Sequence, residues 1–237
     1  MQDVPRISVP GSAGELRAHL SVPPVGSGPW PGVVVLHEAL GLTADIRQHA
    51  DRLAAAGYVA VAPDLFSDGG LVRCLKQTFT ALSRGEGPAV DDVLAVRRWL
   101  ADRADCTGRV GVVGFCMGGG FALLLAARGF DASAPNYGPL PRDLRALDGA
   151  CPVVASYGTR DRMMPRGIGD SLAAALTERG VPHDVKTYDG VGHSFLNRHN
   201  AGPFSLLEKV TGLAYDEDVA QDAWARILHF FDEHLRV

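Results

Sequence analysis

The chain has 237 residues, 46% of them hydrophobic and 21% charged, and its 23 Lys or Arg against 27 Asp or Glu leave a formal net charge of −4. That balance excludes a disordered or fibrous chain, and with no Lys/Arg cluster it excludes a nucleic-acid or membrane-surface binder. The longest apolar run, 121–127, is far short of the roughly 20 residues a membrane helix needs.

In chain order, 7–9 and 15–22 read as two strands around a Pro/Gly turn, an antiparallel edge, and 23–31 is a Pro/Gly-rich loop. The continuous β-branched run 32–37 is a strand buried on both faces. A helix over 44–56 with Ile46, Ala50, Leu53 and Ala54 on one side ends at Gly57, and 58–63 is the next buried strand. Helices are expected over 71–84 and 90–104, a strand over 110–115 and an apolar helix over 121–127. Strands at 132–137, 153–158 and 183–188 then alternate with a helix at 167–179, and a helix at 217–234 closes the chain. Strands alternating with helices of this length predict an α/β fold: one mostly parallel, doubly wound sheet with helices on both faces. With no repeat or linker, 1–237 reads as a single domain.

The stretch that organises the rest is Gly114-Phe115-Cys116-Met117-Gly118, where a buried strand runs straight into a helix through a glycine-flanked Cys. A turn that tight leaves no room for side chains two residues before and two after the nucleophile, so both positions are Gly. The thiol is lifted above the sheet at a helix N-terminus, where the dipole and free N–H groups favour thiolate. This is the strand–nucleophile–helix turn of the α/β-hydrolases, with Cys in place of Ser. A structural Cys between packed elements would carry the same glycines for packing alone.

Sites in such sheets form at the C-terminal strand ends. Asp161 lies just past the strand at 153–158, where an acid either orients a His or fixes its own turn. His193 lies in a Gly-rich loop past the strand at 183–188, suited to a general base. The order Cys116, Asp161, His193 is that of nucleophile, acid and base in the α/β-hydrolases. Glu38 follows the first buried strand, on the loop that in these folds supplies one oxyanion donor. The N–H groups of Ala39 and Met117 are therefore the expected oxyanion hole. A carboxylate beside them would repel developing negative charge; Glu38 either tunes the thiol or the His, or is a salt-bridge or capping acid.

Taken together, His37-Glu38-Ala39-Leu40-Gly41-Leu42, Ala62-Pro63-Asp64-Leu65-Phe66, Gly114-Phe115-Cys116-Met117-Gly118-Gly119, Gly158-x-x-Asp161 and Gly192-His193-Ser194-Phe195 resemble the dienelactone hydrolase family over about residues 14–234. The resemblance implies an α/β-hydrolase fold and a Cys116–His193–Asp161 triad. It also implies that Glu38 contacts the resting thiol and releases it when substrate binds. Family members hold a substrate carboxylate with two arginines. Arg73 is a shifted counterpart of one; where the other would stand, four residues past His193, this chain has Asn197, with Arg198 next. Phe66, Tyr137 and Phe195 sit on strand-end loops, where they line an apolar pocket or simply pack in the core.

The expected function is hydrolysis of a small ester or lactone through a thioester on Cys116, with no metal or organic cofactor. A thiolate is a good leaving group, so enol lactones and activated esters are favoured over amides. A general carboxylesterase acting on uncharged esters is the alternative, and a non-catalytic ligand-binding or thiol-sensing scaffold the rival outside enzymes. The expected partner is a small-molecule substrate, not nucleic acid or membrane, for a monomer or small homo-oligomer. The first residues lack a signal-peptide layout. The four Cys, at 74, 106, 116 and 151, lack metal or disulfide spacing, so the cytoplasm is the expected compartment.

Overall fold

The computed structural model describes residues 6–8, 15–67, 71–198 and 214–236, with side chains for all of these except 6–8 and 71–73. Strands β1 (Arg6–Ser8), β2 (Glu15–Ser21), β3 (Trp30–Leu36), β4 (Val59–Pro63), β5 (Cys106–Phe115), β6 (Ala132–Asn136), β7 (Val153–Gly158) and β8 (His183–Tyr188) form one sheet in the order β1-β2-β4-β3-β5-β6-β7-β8. β1 and β2 pair antiparallel with each other, and β2 with β4, at the edge; every other described pairing is parallel. The helices are α1 (Ala44–Ala55), α2 (Leu71–Arg84), α3 (Pro88–Ala101), α4 (Met117–Leu124), α5 (Ile168–Glu178) and α6 (Glu217–Leu235), with a short 3-10 turn at Leu144–Leu147.

The unbroken apolar strands follow from burial on both faces. Side chains alternate across a strand, so Val33 and Val35 of β3 point to one layer and Val34 and Leu36 to the other. The first pair packs with Ile46, Ala50 and Leu53 of α1 and Trp224, Ile227 and Phe231 of α6. The second packs with Val90, Val93 and Leu100 of α3 and Met117 and Phe121 of α4. α5 closes the far end over β7, through Leu172 and Leu176 against Val153 and Ala155. The helix starts are chemically marked. Thr43 Oγ1 accepts from Ile46 N–H at 3.3 Å, Pro88 opens α3, and the Asp216 carboxylate accepts from Val219 N–H at 3.1 Å.

α2, β7 and β8 span the expected residues, and most other boundaries shift by one or two. α3 ends at Ala101, three residues before the expected end, and three other shifts carry a physical reason. β3 begins at Trp30, inside the expected loop, because Trp30 N–H donates to Asp105 O at 2.9 Å and pairs with Cys106. The same pairing extends β5 back to Cys106, four residues before the apolar run. α4 starts at Met117, immediately after Cys116, with Gly118, Gly119 and Gly120 inside its first turns. Glycines are poor helix formers, so only the packing described below explains their place there.

Candidate active site

β3, β5, β6, β7 and β8 are consecutive in the sheet, and the residues just past their C-terminal ends converge: Glu38, Cys116, Tyr137, Asp161 and His193. The Cys116 turn is fixed by backbone contact. Cys116 has φ 53 and ψ −114, a conformation L residues avoid. A Cβ on Gly114 would lie 2.0 Å from Gly118 O, and one on Gly118 would lie 2.3 Å from Leu36 O. Asn136 braces the same turn from the neighbouring strand, its carbonyl accepting from Cys116 N–H at 3.1 Å and its side-chain amide donating to Gly114 O at 3.2 Å. Met117 N–H opens α4, where it has no partner within the helix, and Gly118 in the first turn packs against the Leu36 and His37 carbonyls at the end of β3.

That loop is held from below by His37. The imidazole is fully buried, and burial lowers its pKa, so it is neutral. Its Nε2 accepts from Leu65 N–H at 3.0 Å, which leaves Nδ1–H to donate to Glu38 O at 2.7 Å. Those two bonds fix the tautomer and pin the backbone that carries Glu38 and Ala39. The sequence placed His37 in the motif and gave it no role.

Asp161 combines both roles the sequence left open. One carboxylate oxygen accepts from the N–H groups of Met163 and Met164, at 2.7 and 3.2 Å, and so fixes its own turn. The other lies 2.7 Å from His193 Nδ1. The loops after β7 and β8 are stitched together by Arg160 N–H donating to Val191 O at 2.9 Å and Gly190 N–H to Thr159 Oγ1 at 3.0 Å. Burial works against a charge on His193, but Asp161 and the Cys116 sulfur outweigh it and push its pKa up to about 9. Nε2 is buried without a hydrogen bond of normal geometry, while the sulfur is close enough to favour the charged ring. The pair is poised for contact.

Glu38 is 4% exposed. Burial and the Asp45 carboxylate raise its pKa to about 7, against the pull of His193 and a hydrogen bond with Ser194. It therefore titrates near neutrality, and its protonated form leaves an adjacent oxyanion unopposed. Ser194 itself holds φ 60, a left-handed backbone that the non-glycine sequence gave no sign of.

The structure separates the remaining expected residues. Phe195 is fully buried, edge-on to Tyr137 and Tyr188 at 5.2 and 5.5 Å. Tyr137 is also fully buried, its ring edge-on to His193 at 5.0 Å and its hydroxyl donating to Asn197 Oδ1. Phe66 is 7% exposed and packs edge-on to His37 at 4.7 Å. The Arg198 side chain is 60% exposed and engaged at the surface, 2.5 Å from the Glu217 carboxylate and stacked over the Tyr215 ring at 4.4 Å. The side chain of Arg73 lies outside the described residues. Among the described residues no group of three or more His, Cys, Asp or Glu side chains is placed to hold a metal ion, and no helix is long and apolar enough to cross a membrane.

Known proteins resemble this chain over most of its length. A Rhodococcus opacus protein named carboxymethylenebutenolidase is 31% identical over 86% of this chain and 82% of its own length. An Aquifex pyrophilus protein named Usf is 30% identical over 93% of this chain and 94% of its own. Among solved structures, a dienelactone hydrolase-like promiscuous phosphotriesterase from metagenomic libraries superposes with a TM-score of 0.81, covering 97% of both chains at 24% identity, and so shares the fold. The profile of the dienelactone hydrolase family matches residues 16–235, nearly the whole chain. A doubly wound sheet, a glycine-locked Cys turn and that match lead to one conclusion: the chain belongs to the dienelactone hydrolase family, a family of hydrolases.

Proposed function

We propose that the protein hydrolyses a small carboxylic ester or lactone with Cys116 as nucleophile, His193 as general base and acid, and Asp161 as its orienting partner. The observation that carries this reading is the 2.7 Å Asp161–His193 bond, with the opposite imidazole nitrogen buried and unbonded on the side of the Cys116 sulfur. An imidazolium there favours negative charge on the sulfur, so the attacking species is the thiolate.

The thiolate forms a C–S bond to the substrate carbonyl, whose electron pair moves to oxygen and is held by the N–H groups of Ala39 and Met117. The oxyanion collapses, the C–O bond to the alcohol breaks, and His193 gives its proton to the departing oxygen. A thioester on Cys116 remains. His193, now neutral, takes a proton from water as it attacks the thioester. The C–S bond breaks, the acid leaves, and the thiolate–imidazolium pair returns. Because sulfur is itself a good leaving group, the first adduct goes forward only when the alcohol departs as readily. Enol lactones and activated esters meet that condition more readily than amides. No metal ion or organic cofactor is called for in this scheme.

The test is turnover of dienelactone, p-nitrophenyl acetate and p-nitrophenyl butanoate by wild type and Cys116→Ala, with acid-quenched protein examined by mass spectrometry. The expected result is an acyl adduct on Cys116 and a loss of about 10³-fold or more in the variant. Turnover retained by Cys116→Ala would overturn the thiol mechanism. Alkylation of Cys116 without turnover of any ester would instead favour a thiol-sensing scaffold.

A further inference from the structure

Among the described residues, three buried polar atoms at or beside the site lack a hydrogen bond: His193 Nε2, Asn136 Oδ1 and Asn197 Nδ2. Asn197 is 1% exposed, and its Oδ1 accepts from the Tyr137 hydroxyl, while its Nδ2 makes no hydrogen bond among the described residues. Buried amide donors are almost always paired, so an orphan calls for an explanation such as a ligand. The amide is also held in place. Asn197 N–H donates to Ser194 O at 2.9 Å, closing a turn on the catalytic loop, and Tyr137 packs edge-on to His193 at 5.0 Å. The Tyr137 hydroxyl lies where Glu38, Cys116 and Asp45 all act on its ionisation. The amide bonded to that hydroxyl therefore lies one side chain away from His193.

We propose that Asn197 determines substrate choice: its orphan Nδ2 donates to an uncharged oxygen acceptor in the acyl part of the substrate, one or two bonds beyond the reacting carbonyl. This assignment rests on the ester-hydrolase reading above. Two observations favour a neutral acceptor over a carboxylate. The acidic side chains Glu38 and Asp45 already crowd this corner, and the cation among the described residues beside it, His193, is committed to Asp161 and the sulfur. The nearest arginine in sequence, Arg198, is bound to Glu217 at the surface. A carboxylate here would face two acids, while Arg198, the arginine adjacent to Asn197, is already paired. An ether or lactone oxygen would meet an amide donor that otherwise goes unpaired.

The experiment compares p-nitrophenyl methoxyacetate with p-nitrophenyl butanoate, which differ by one oxygen in place of a methylene, and adds p-nitrophenyl hemisuccinate as the anionic arm. Each kcat/KM is divided by the ester's hydroxide rate constant, which removes intrinsic reactivity. Wild type is expected to favour the methoxy ester over the butanoate and to disfavour the hemisuccinate. Asn197→Leu should lower the methoxy-to-butanoate ratio by about 5-fold or more, the size of one buried hydrogen bond. Asn197→Ala is the second variant should the first fail to fold, and the normalised wild-type ratio decides if neither folds. A ratio unmoved by substitution, or both esters falling equally, would mean a structural role and overturn the assignment. A preference for hemisuccinate would overturn the choice of a neutral acceptor. Cys116→Ala run in parallel separates the two claims. Turnover that survives it removes the thiol mechanism while the ratio still reads the Asn197 contact, and wild type inert towards all three esters removes both.

Discussion

The two halves of the site are held by different physics. On the nucleophile side, backbone touches backbone: Gly114 against Gly118, Gly118 against Leu36, and Gly119 against Asn136, where an added Cβ would come within 2.0, 2.3 and 2.6 Å of a carbonyl oxygen. On the acid–base side one such contact remains, a Cβ on Gly158 falling 2.5 Å from Val191 O, but most of the geometry is fixed by polar bonds. Gly190, in the loop before His193, has φ +77 and nothing within 4 Å of a Cβ. There the order comes from Asp161 with His193, Tyr137 with Asn197, and Glu38 with Ser194. A site built this way holds Cys116 by steric contact, while the charge on His193 is set by its polar neighbours.

The largest effect separates the two kinds of glycine. Gly118→Ala is expected to lose about 3 kcal/mol of stability or more, or to fail to fold, since neither partner of the collision is a movable side chain. Gly190→Ala should lose only about 1 kcal/mol, the penalty of a left-handed Ala in open space. Urea denaturation of both variants measures the contrast. A Gly118→Ala protein within 1 kcal/mol of wild type would show that the Cys116 turn is not sterically locked.

The same difference decides what could be read from the sequence. Steric locks leave glycines at fixed spacing, so the Cys116 turn and the loops at Asp161 and His193 were legible, as were strands such as β7 and β8 bounded by Gly and Pro. Where tertiary pairing overrides local preference, the sequence fell short. Trp30 joins β3 because Cys106 is there to pair with it, and the glycines of α4 are helical because bulkier residues would not fit. Polar bonds between loops left no trace at all. Tyr137 and Asn197 are 60 residues apart, and Leu65 reaches His37 across 28, so neither pair could be matched without the fold. Asp161 was legible as an acid, but its double duty depends on the turn geometry of Met163 and Met164.

On the acid–base side the next effect is large for activity and graded in pH. Asp161→Asn removes the partner of His193 and should lower turnover by about 10³-fold, with the pH optimum displaced. The sign on stability follows from proton uptake. His193 is raised from 6.5 to about 9, so the folded state holds the extra proton, and the associated stability is full below 6.5 and lost as pH rises through 9. Glu38 is raised from 4.5 to about 7, so burying its ionised form destabilises the fold progressively over that window. Wild-type stability should therefore fall by roughly 3 kcal/mol in each window. Asp161→Asn should flatten the upper decline and Glu38→Gln the lower one, read as thermal midpoints against pH. A Glu38→Gln profile parallel to wild type would show that the Glu38 carboxyl is not held protonated by the fold.

The smallest effect is expected one residue beyond the buried amide. Arg198 carries the positive charge next in sequence to Asn197, and a carboxylate bound at that amide would need such a charge turned inward. Its guanidinium instead pairs with Glu217 and stacks on Tyr215 in the open, while its backbone N–H donates to Asp45 at 3.1 Å. The backbone bond survives any substitution of the side chain, so the anchor of the catalytic loop to α1 is kept in Arg198→Ala. Exposed, salt-screened pairs contribute little. Arg198→Ala should therefore leave kcat/KM within about twofold for p-nitrophenyl butanoate and hemisuccinate alike. A selective loss on hemisuccinate would mean that the arginine swings inward to meet a carboxylate. The acid–base half would then adapt its charge to the substrate, and the neutral character assigned to its binding corner would have to be given up.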